Sequence, residues 1–412
     1  MIHQPPAGTR DLLPLEVAQK GWINDRLQMV FQQWSYQRIV TSTLEWLETL
    51  MAGGAIDYST VFQLQDTSGR ILGLRPEVTA SIARAAATRM SETNEGNSTP
   101  LRLCYRANVF RNPPASHHGR QVEFYQAGVE LLWGGGLLAD GEILLLLTDC
   151  LTSLGLSNWQ IILGDVELTR ALLAPFDKTL RQQVRRCIVE LDRVSLESLT
   201  YPTKAQKQQA LRLFDLRGRP GDVWKTLEQM ELSVAGTERV NRLKSFIELL
   251  EASQGKTIPV VLDLSLLQRF DYYTGIVFQV IIHQERQWRV LGQGGRYDQL
   301  LGLYHPQGQS APGIGFSLNI EDLHACLLAD SNSALPRNLP TSDWLVIAQT
   351  KVSQAAAFAY AQVLRNSEHL VRVELELSDV SPDIIRESAR ARGIQNLAWI
   401  VEDGTPEIEA LS

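Results

Sequence analysis

Four separated stretches of this 412-residue chain carry side chains capable of recognition chemistry. The first, Leu74-Arg75-Pro76-Glu77-Val78-Thr79, offers a carboxylate and a hydroxyl. The second runs from Phe110-Arg111 through Gly119-Arg120 to Phe124-Tyr125-Gln126-Ala127-Gly128-Val129-Glu130, and offers two guanidinium groups, an amide and another carboxylate. The third is Asp271-Tyr272-Tyr273-Thr274-Gly275, with Gly294-Gly295-Arg296-Tyr297-Asp298 downstream; the fourth is Pro312-Gly313-Ile314-Gly315-Phe316. A guanidinium presents a fixed charge and a bidentate fork to an anion. A buried carboxylate must be paired or it is costly. Taken singly, Glu77 and Glu130 read equally well as surface carboxylates and Tyr273 as core packing. The seven histidines show no metal-ligand spacing, and His117-His118 reads as a solvated loop. Gly292-x-Gly294-Gly295 matches neither a P-loop nor a dinucleotide fingerprint. It reads as a tight turn bringing backbone close to a ligand.

The elements that must position these groups follow from periodicity. After the turn at Gly8-Thr9-Arg10-Asp11, apolar residues at Ile23, Leu27, Val30, Phe31 and Trp34 give one face of a helix. Strands are expected near Phe62–Gln65, Ile71–Leu74, Arg102–Phe110 and Gln121–Leu132, and helices over Thr79–Met90 and Asp140–Leu154. From about Glu167 to Gln254 the pattern turns helical, with Arg181–Leu191, Ala205–Leu213 and Thr237–Ala252 as segments of an inserted subdomain. Strand character returns at Val260–Leu264, Ile276–Ile282 and Gln287–Leu291. A polar, proline-containing linker is expected over 331–342. Beyond it, strands at Trp344–Ala348, Val371–Leu377 and Leu397–Val401 alternate with helices at Gln354–Leu364 and Pro382–Arg392, the pattern of a small parallel sheet.

Bulk properties exclude several classes. Composition is ordinary for a globular protein, with 44% hydrophobic and 21% charged residues. The longest aliphatic run, Ile143–Leu147, is too short to cross a bilayer, and the first residues lack a secretory pattern. Cys104, Cys150, Cys187 and Cys326 are scattered and read as reduced, buried thiols of a cytoplasmic protein. Net charge is −7, and residues 343–412 hold six basic and eleven acidic side chains, a balance of −5. A nucleic-acid reader needs the opposite sign, because phosphate neutralisation supplies most of its affinity. The charge therefore argues against tRNA as a partner.

In this order the four stretches resemble the class II histidyl-tRNA synthetases over roughly residues 5 to 330. The resemblance implies an α+β fold, an antiparallel sheet with flanking helices, as a domain over 1–330 with its helical insertion at about 167–254. It also implies a truncated anticodon-binding-like α/β domain over 343–412. Histidine needs an anion for its ammonium, donors for its carboxylate and a polar partner for its ring. By resemblance Glu77 and Thr79 hold the ammonium, and Gln126 bridges the backbone groups. Tyr272 and Tyr273 belong to the histidine-binding wall, with Glu130 and Tyr273 on the imidazole. On the ATP side Arg111 and Arg120 match phosphate-gripping arginines, and either bind another phosphate or serve as ion-pair partners. Four other positions depart from the family. Pro113 replaces an adenine-contacting glutamate and Val122 a loop arginine. Gln268 replaces the arginine that bridges carboxylate and α-phosphate, and Asp322 the arginine that stacks on adenine. Adenylyl transfer depends on positioned positive charge, so no adenylate chemistry, catalytic residue, cofactor or metal is expected.

Losses on the ATP and RNA sides, with the histidine side kept, resemble the regulatory subunits of ATP phosphoribosyltransferase, synthetase paralogues of histidine biosynthesis. That resemblance implies self-association as a dimer and a short-form phosphoribosyltransferase catalytic subunit as partner. The assembly is commonly of four regulatory and four catalytic subunits, with free histidine as feedback effector. A divergent histidyl-tRNA synthetase and a histidine sensor acting on another partner remain the alternatives.

Overall fold

The computed structural model describes residues 3–54, 56–90, 99–112, 121–254, 258–266, 272–284 and 287–411. Two compact units emerge, Met1–Leu335 and Pro336–Ser412. Leu335, inside the expected linker, is buried in the core of the first unit.

Pro14 starts the first helix, Pro14–Gln33, at a position where the missing N–H costs nothing. Ile23, Leu27, Val30 and Phe31 bury its apolar stripe, and Ser35 turns the chain out with φ 63°. The central sheet of the first unit has nine strands among the described residues. In spatial order they are Gln37–Arg38, Leu101–Phe110, Glu123–Leu132, Gly313–Asn319, Gln287–Arg296, Ile276–Gln284, Trp159–Asp165, Val260–Asp263 and Arg217–Gly218. Neighbours from Leu101–Phe110 through Trp159–Asp165 are all antiparallel. Side chains alternate between the two faces of a strand. Ala127, Val129 and Leu131 therefore join the core under the first helix and Gly136–Ser153, while Gln126, Gly128 and Glu130 share the other face.

The expected glycine turn is instead part of strand Gln287–Arg296, paired on both sides through the glycines, with a register shift just before Gly292 opposite Val280 and Ile281. None of Gly292, Gly294 and Gly295 has positive φ. Their function is close strand approach: a Cβ on Gly294 would lie 2.2 Å from the Gly315 carbonyl oxygen. Gly294 also lines the cavity described below.

The insertion folds as helices Val166–Leu173, Lys178–Val189, Arg193–Ser198, Lys204–Phe214, Pro220–Glu228 and Val234–Gln254. Asp165, Asp177, Asp192 and Thr203 cap four of them by accepting backbone N–H groups. The second begins three residues before the expected Arg181 because Asp177 caps it there. Its apolar residues Val184 and Ile188, with Phe176 just before it, belong to the same continuous core as the sheet.

In the second unit, Trp344–Ala348 pairs in parallel with Val373–Leu375 and Asn396–Ile400. Leu345, Ile347, Leu397 and Trp399 cover Ile385 and Ala389 on one face, and Val346 and Ala398 cover Ala357 and Ala361 on the other. The edge strand Val373–Leu375 is shorter than the expected Val371–Leu377, and a fourth strand, Pro406–Ala410, adds antiparallel at the other edge beyond the expected three.

Candidate functional site

The chain reaches the site through a small three-stranded antiparallel sheet, Leu44–Trp46, Ile71–Leu74 and Gln63–Gln65. Buried Arg75 ends it, donating to the carbonyls of Asn108 (2.9 Å), Thr41 (3.0 Å) and Ser42 (3.1 Å). That clamp fixes the turn Pro76-Glu77-Val78 before helix Thr79–Ala85. Glu77 turns back on the helix start and accepts from Ala80 N at 2.8 Å. It satisfies an orphan donor and sits where the helix dipole favours a negative charge.

Glu77, Thr79, Arg111, Gln126, Glu130, Tyr272 and Tyr273 line one cavity with Tyr105, Gln293, Gly294, Tyr297, Gly315, Phe316 and Ser317. Three of the four sequence stretches, more than 190 residues apart at their extremes, thus meet at one place, and the fourth supplies its floor. Space for the centres of water-sized molecules is about 20 Å³, enough for about one water.

Glu130 is 1% exposed. Thr79 Oγ1 donates to its Oε1 at 2.6 Å, and the Tyr297 hydroxyl donates to its Oε2. Across the strand pair Gly315 faces Glu130, and any Cβ there would meet Oε2 at 1.9 Å. Burial pushes the Glu130 carboxyl up to about 8, against the lowering effect of the two hydroxyls. Burial likewise raises Glu77. Gln126 Oε1 is buried with no hydrogen-bond partner among the described residues, a group that a ligand donor would satisfy. The Tyr272 ring stands edge-on to Tyr297, centroids 5.9 Å apart, and 4.8 Å from Tyr273. Sequence reasoning assigned no role to Tyr105 or Tyr297; the Gly294-Gly295-Arg296-Tyr297-Asp298 motif held the signal for the second.

Arg111 donates from Nε to the Pro76 carbonyl at 2.7 Å and lies over the Phe124 ring. Val122 does backbone work: its N–H donates to Gly8 O at 2.9 Å and its carbonyl accepts from Arg111 N at 2.8 Å. Asp322 is not among the cavity residues; it pairs with Arg289 at 2.9 Å, in the first turn of helix Ile320–Ala329. Pro113, Arg120 and Gln268 lie outside the described residues. Asp322→Arg would place a cation beside Arg289 at a helix N-terminus. The expected outcome is a loss of about 1 kcal/mol in urea denaturation, with no ATP–pyrophosphate exchange gained.

Sheet order, insertion and cavity together define a class II histidyl-tRNA synthetase fold, and the histidyl-tRNA synthetase family model matches residues 8–323. Apo histidyl-tRNA synthetase from S. aureus shares the fold at 21% identity, with TM-score 0.71 over 99% of this chain and 97% of that one. A Bacillus halodurans structure described as an ATP phosphoribosyltransferase regulatory subunit/histidyl-tRNA synthetase superposes with TM-score 0.80 at 28% identity, covering 97% and 98% of the two chains. The ATP phosphoribosyltransferase regulatory subunit of Gloeothece citriformis is 65% identical over 411 residues, 100% of each chain. The chain belongs to the ATP phosphoribosyltransferase regulatory subunits, within the histidyl-tRNA synthetase family. Among its described residues no helix is long and apolar enough to cross a membrane.

Proposed function

We propose that this chain is the non-catalytic regulatory subunit of ATP phosphoribosyltransferase, and that free histidine bound in the Glu77–Gln126–Glu130–Tyr273 cavity is its feedback signal. The observation that carries this reading is the convergence of all six histidine-side positions on one cavity, with a Gln126 oxygen that has no partner among the described residues. Glu77 takes the ammonium, Gln126 an N–H of the ligand, and Glu130 with Tyr273 the ring. Asp322, at a position the family uses for adenine, is committed to Arg289, which favours a regulatory role over adenylate synthesis. With room for about one water as it stands, the cavity must widen to admit an amino acid. Histidine binding therefore selects a second conformation, and a difference of about 1–3 kcal/mol between assembly states suffices for feedback. The catalytic partner is a short-form phosphoribosyltransferase, the assembly a hetero-oligomer built on a dimer of this chain, and the acidic second unit serves protein contacts in the cytoplasm.

The test is phosphoribosyl transfer by the short subunit with and without this chain across a histidine titration. Activity should require the chain and fall as histidine rises. Histidine-dependent ATP–pyrophosphate exchange by the chain alone at synthetase-like rates would overturn the reading.

A further inference from the structure

We propose that the cavity holds histidine through a one-proton pair: in the complex, the Glu130 carboxyl and the imidazole ring share a single proton. Affinity then peaks where the free partners together already carry one. The inference rests on the histidine reading above and adds the protonation state in which the ligand is taken.

The geometry around Glu130 carries it. Both carboxyl oxygens are engaged by neutral hydroxyls, Thr79 Oγ1 and the Tyr297 OH, and among the described residues no ammonium or guanidinium bonds to it. The titratable and charged groups gathered around it are few. Glu77 comes from the turn before helix Thr79–Ala85, Tyr105 from strand Leu101–Phe110, and Arg111 from the end of that strand. Tyr272, Tyr273 and Tyr297 close the other side, and strand Gly313–Asn319 contributes only Gly315, Phe316 and Ser317. Burial and the second carboxylate, Glu77, raise the cost of ionising Glu130 in the empty cavity, and the Thr79 and Tyr297 hydroxyls offset only part of it. A ligand ring nitrogen is the partner that removes that cost.

The proton count follows. Glu130 is raised to about 8, while an unperturbed imidazole titrates at about 6.5. Between these values the free protein carries COOH and the free ligand a neutral ring. The complex keeps that proton, whether it rests on oxygen or on nitrogen, and none is exchanged with solvent. On the acid side of the imidazole value the free imidazolium brings a second proton, which must be released on binding. On the alkaline side of the Glu130 value the free carboxylate lacks one, which must be taken up. Each limb weakens affinity by up to about tenfold per pH unit.

Calorimetry of the full-length chain with histidine, from about pH 5.5 to about 9.5 in buffers of different ionisation enthalpy, reads both affinity and protons. The expected result is a bell with proton release on the acid side, none near neutrality and uptake on the alkaline side. Triazolylalanine, whose ring stays neutral throughout, should bind without the acid limb. Glu130→Gln should remove the alkaline uptake, leaving only the limb of the ligand's amine. Should that variant fail to fold, the comparison of the two ligands on the unmodified chain decides. Histidine binding with a flat profile, or an acid limb shared by triazolylalanine, overturns the one-proton pair and leaves the histidine reading standing. No histidine binding at any pH overturns both.

Discussion

Arg296→Met is expected to cost about 3–5 kcal/mol of folding stability, the usual penalty for stranding one member of a buried charge network. Arg296 is 4% exposed and Asp140, on helix Gly136–Ser153, is 2% exposed. The guanidinium donates from Nε to Asp140 at 2.8 Å and from Nη1 to Asp298 at 2.9 Å. Burial raises the Asp140 carboxyl while Arg296 opposes that rise, and among the described residues only Arg242, at 3.6 Å, still pairs with it once Arg296 is gone. The same residue braces the cavity wall. Its carbonyl accepts from Thr274 N at 2.8 Å, and its side chain packs against Gly275, next to Tyr273 and Tyr297. Urea denaturation measures the loss. A double variant, Arg296→Met with Asp140→Leu, should recover most of it, because both buried charges are then gone and the partners left behind, Asp298 and Arg242, are the solvent-accessible ones. A single-variant loss under about 1 kcal/mol would show that the network does not hold the wall.

How far the sequence revealed this site depends on the kind of interaction. Local signals were legible. Ile23, Leu27, Val30 and Phe31 marked a helix face, and the strand expected near Gln121–Leu132 lies at Glu123–Leu132, two residues off at its start. Convergence was legible only through resemblance, since nothing in the spacing of Glu77, Glu130 and Tyr273 says that distant segments meet. Gly292, Gly294 and Gly295 misled because glycine serves turns and close strand approach alike, and only the partner strand decides. Asp322 read as a loss from an ATP site; its partner Arg289, 33 residues away in sequence, emerged only from the fold. The strand Pro406–Ala410 escaped notice because Ile408 is its one large apolar residue between two glutamates, a pattern suited to an edge strand that discourages further pairing.

Glu130→Gln is expected to stabilise the free chain at alkaline pH while weakening histidine binding about tenfold. A carboxyl raised from 4.5 to about 8 in the folded state binds its proton more tightly folded than unfolded. Its contribution is complete below about pH 4.5 and is lost as pH rises through about 8. Each pH unit between those two values removes about 1.4 kcal/mol, so by about pH 9 the unmodified chain has lost about 5 kcal/mol. Glutamine has nearly the same shape and never ionises, and its carbonyl oxygen can still accept from Thr79 or Tyr297. The two proteins should therefore have similar stability at about pH 5 and diverge steadily towards about pH 9 in urea denaturation. On the ligand side, a charge-assisted bond to the ring gives way to a neutral one, a difference of about 1–2 kcal/mol. Histidine should inhibit the variant's phosphoribosyltransferase complex only at correspondingly higher concentration. Parallel stability curves for the two proteins across that pH range would mean that Glu130 does not titrate within it. Opposite signs for stability and affinity would mark Glu130 as a residue kept for its ligand at the expense of the empty fold. A residue that merely filled space would lose on both counts or on neither.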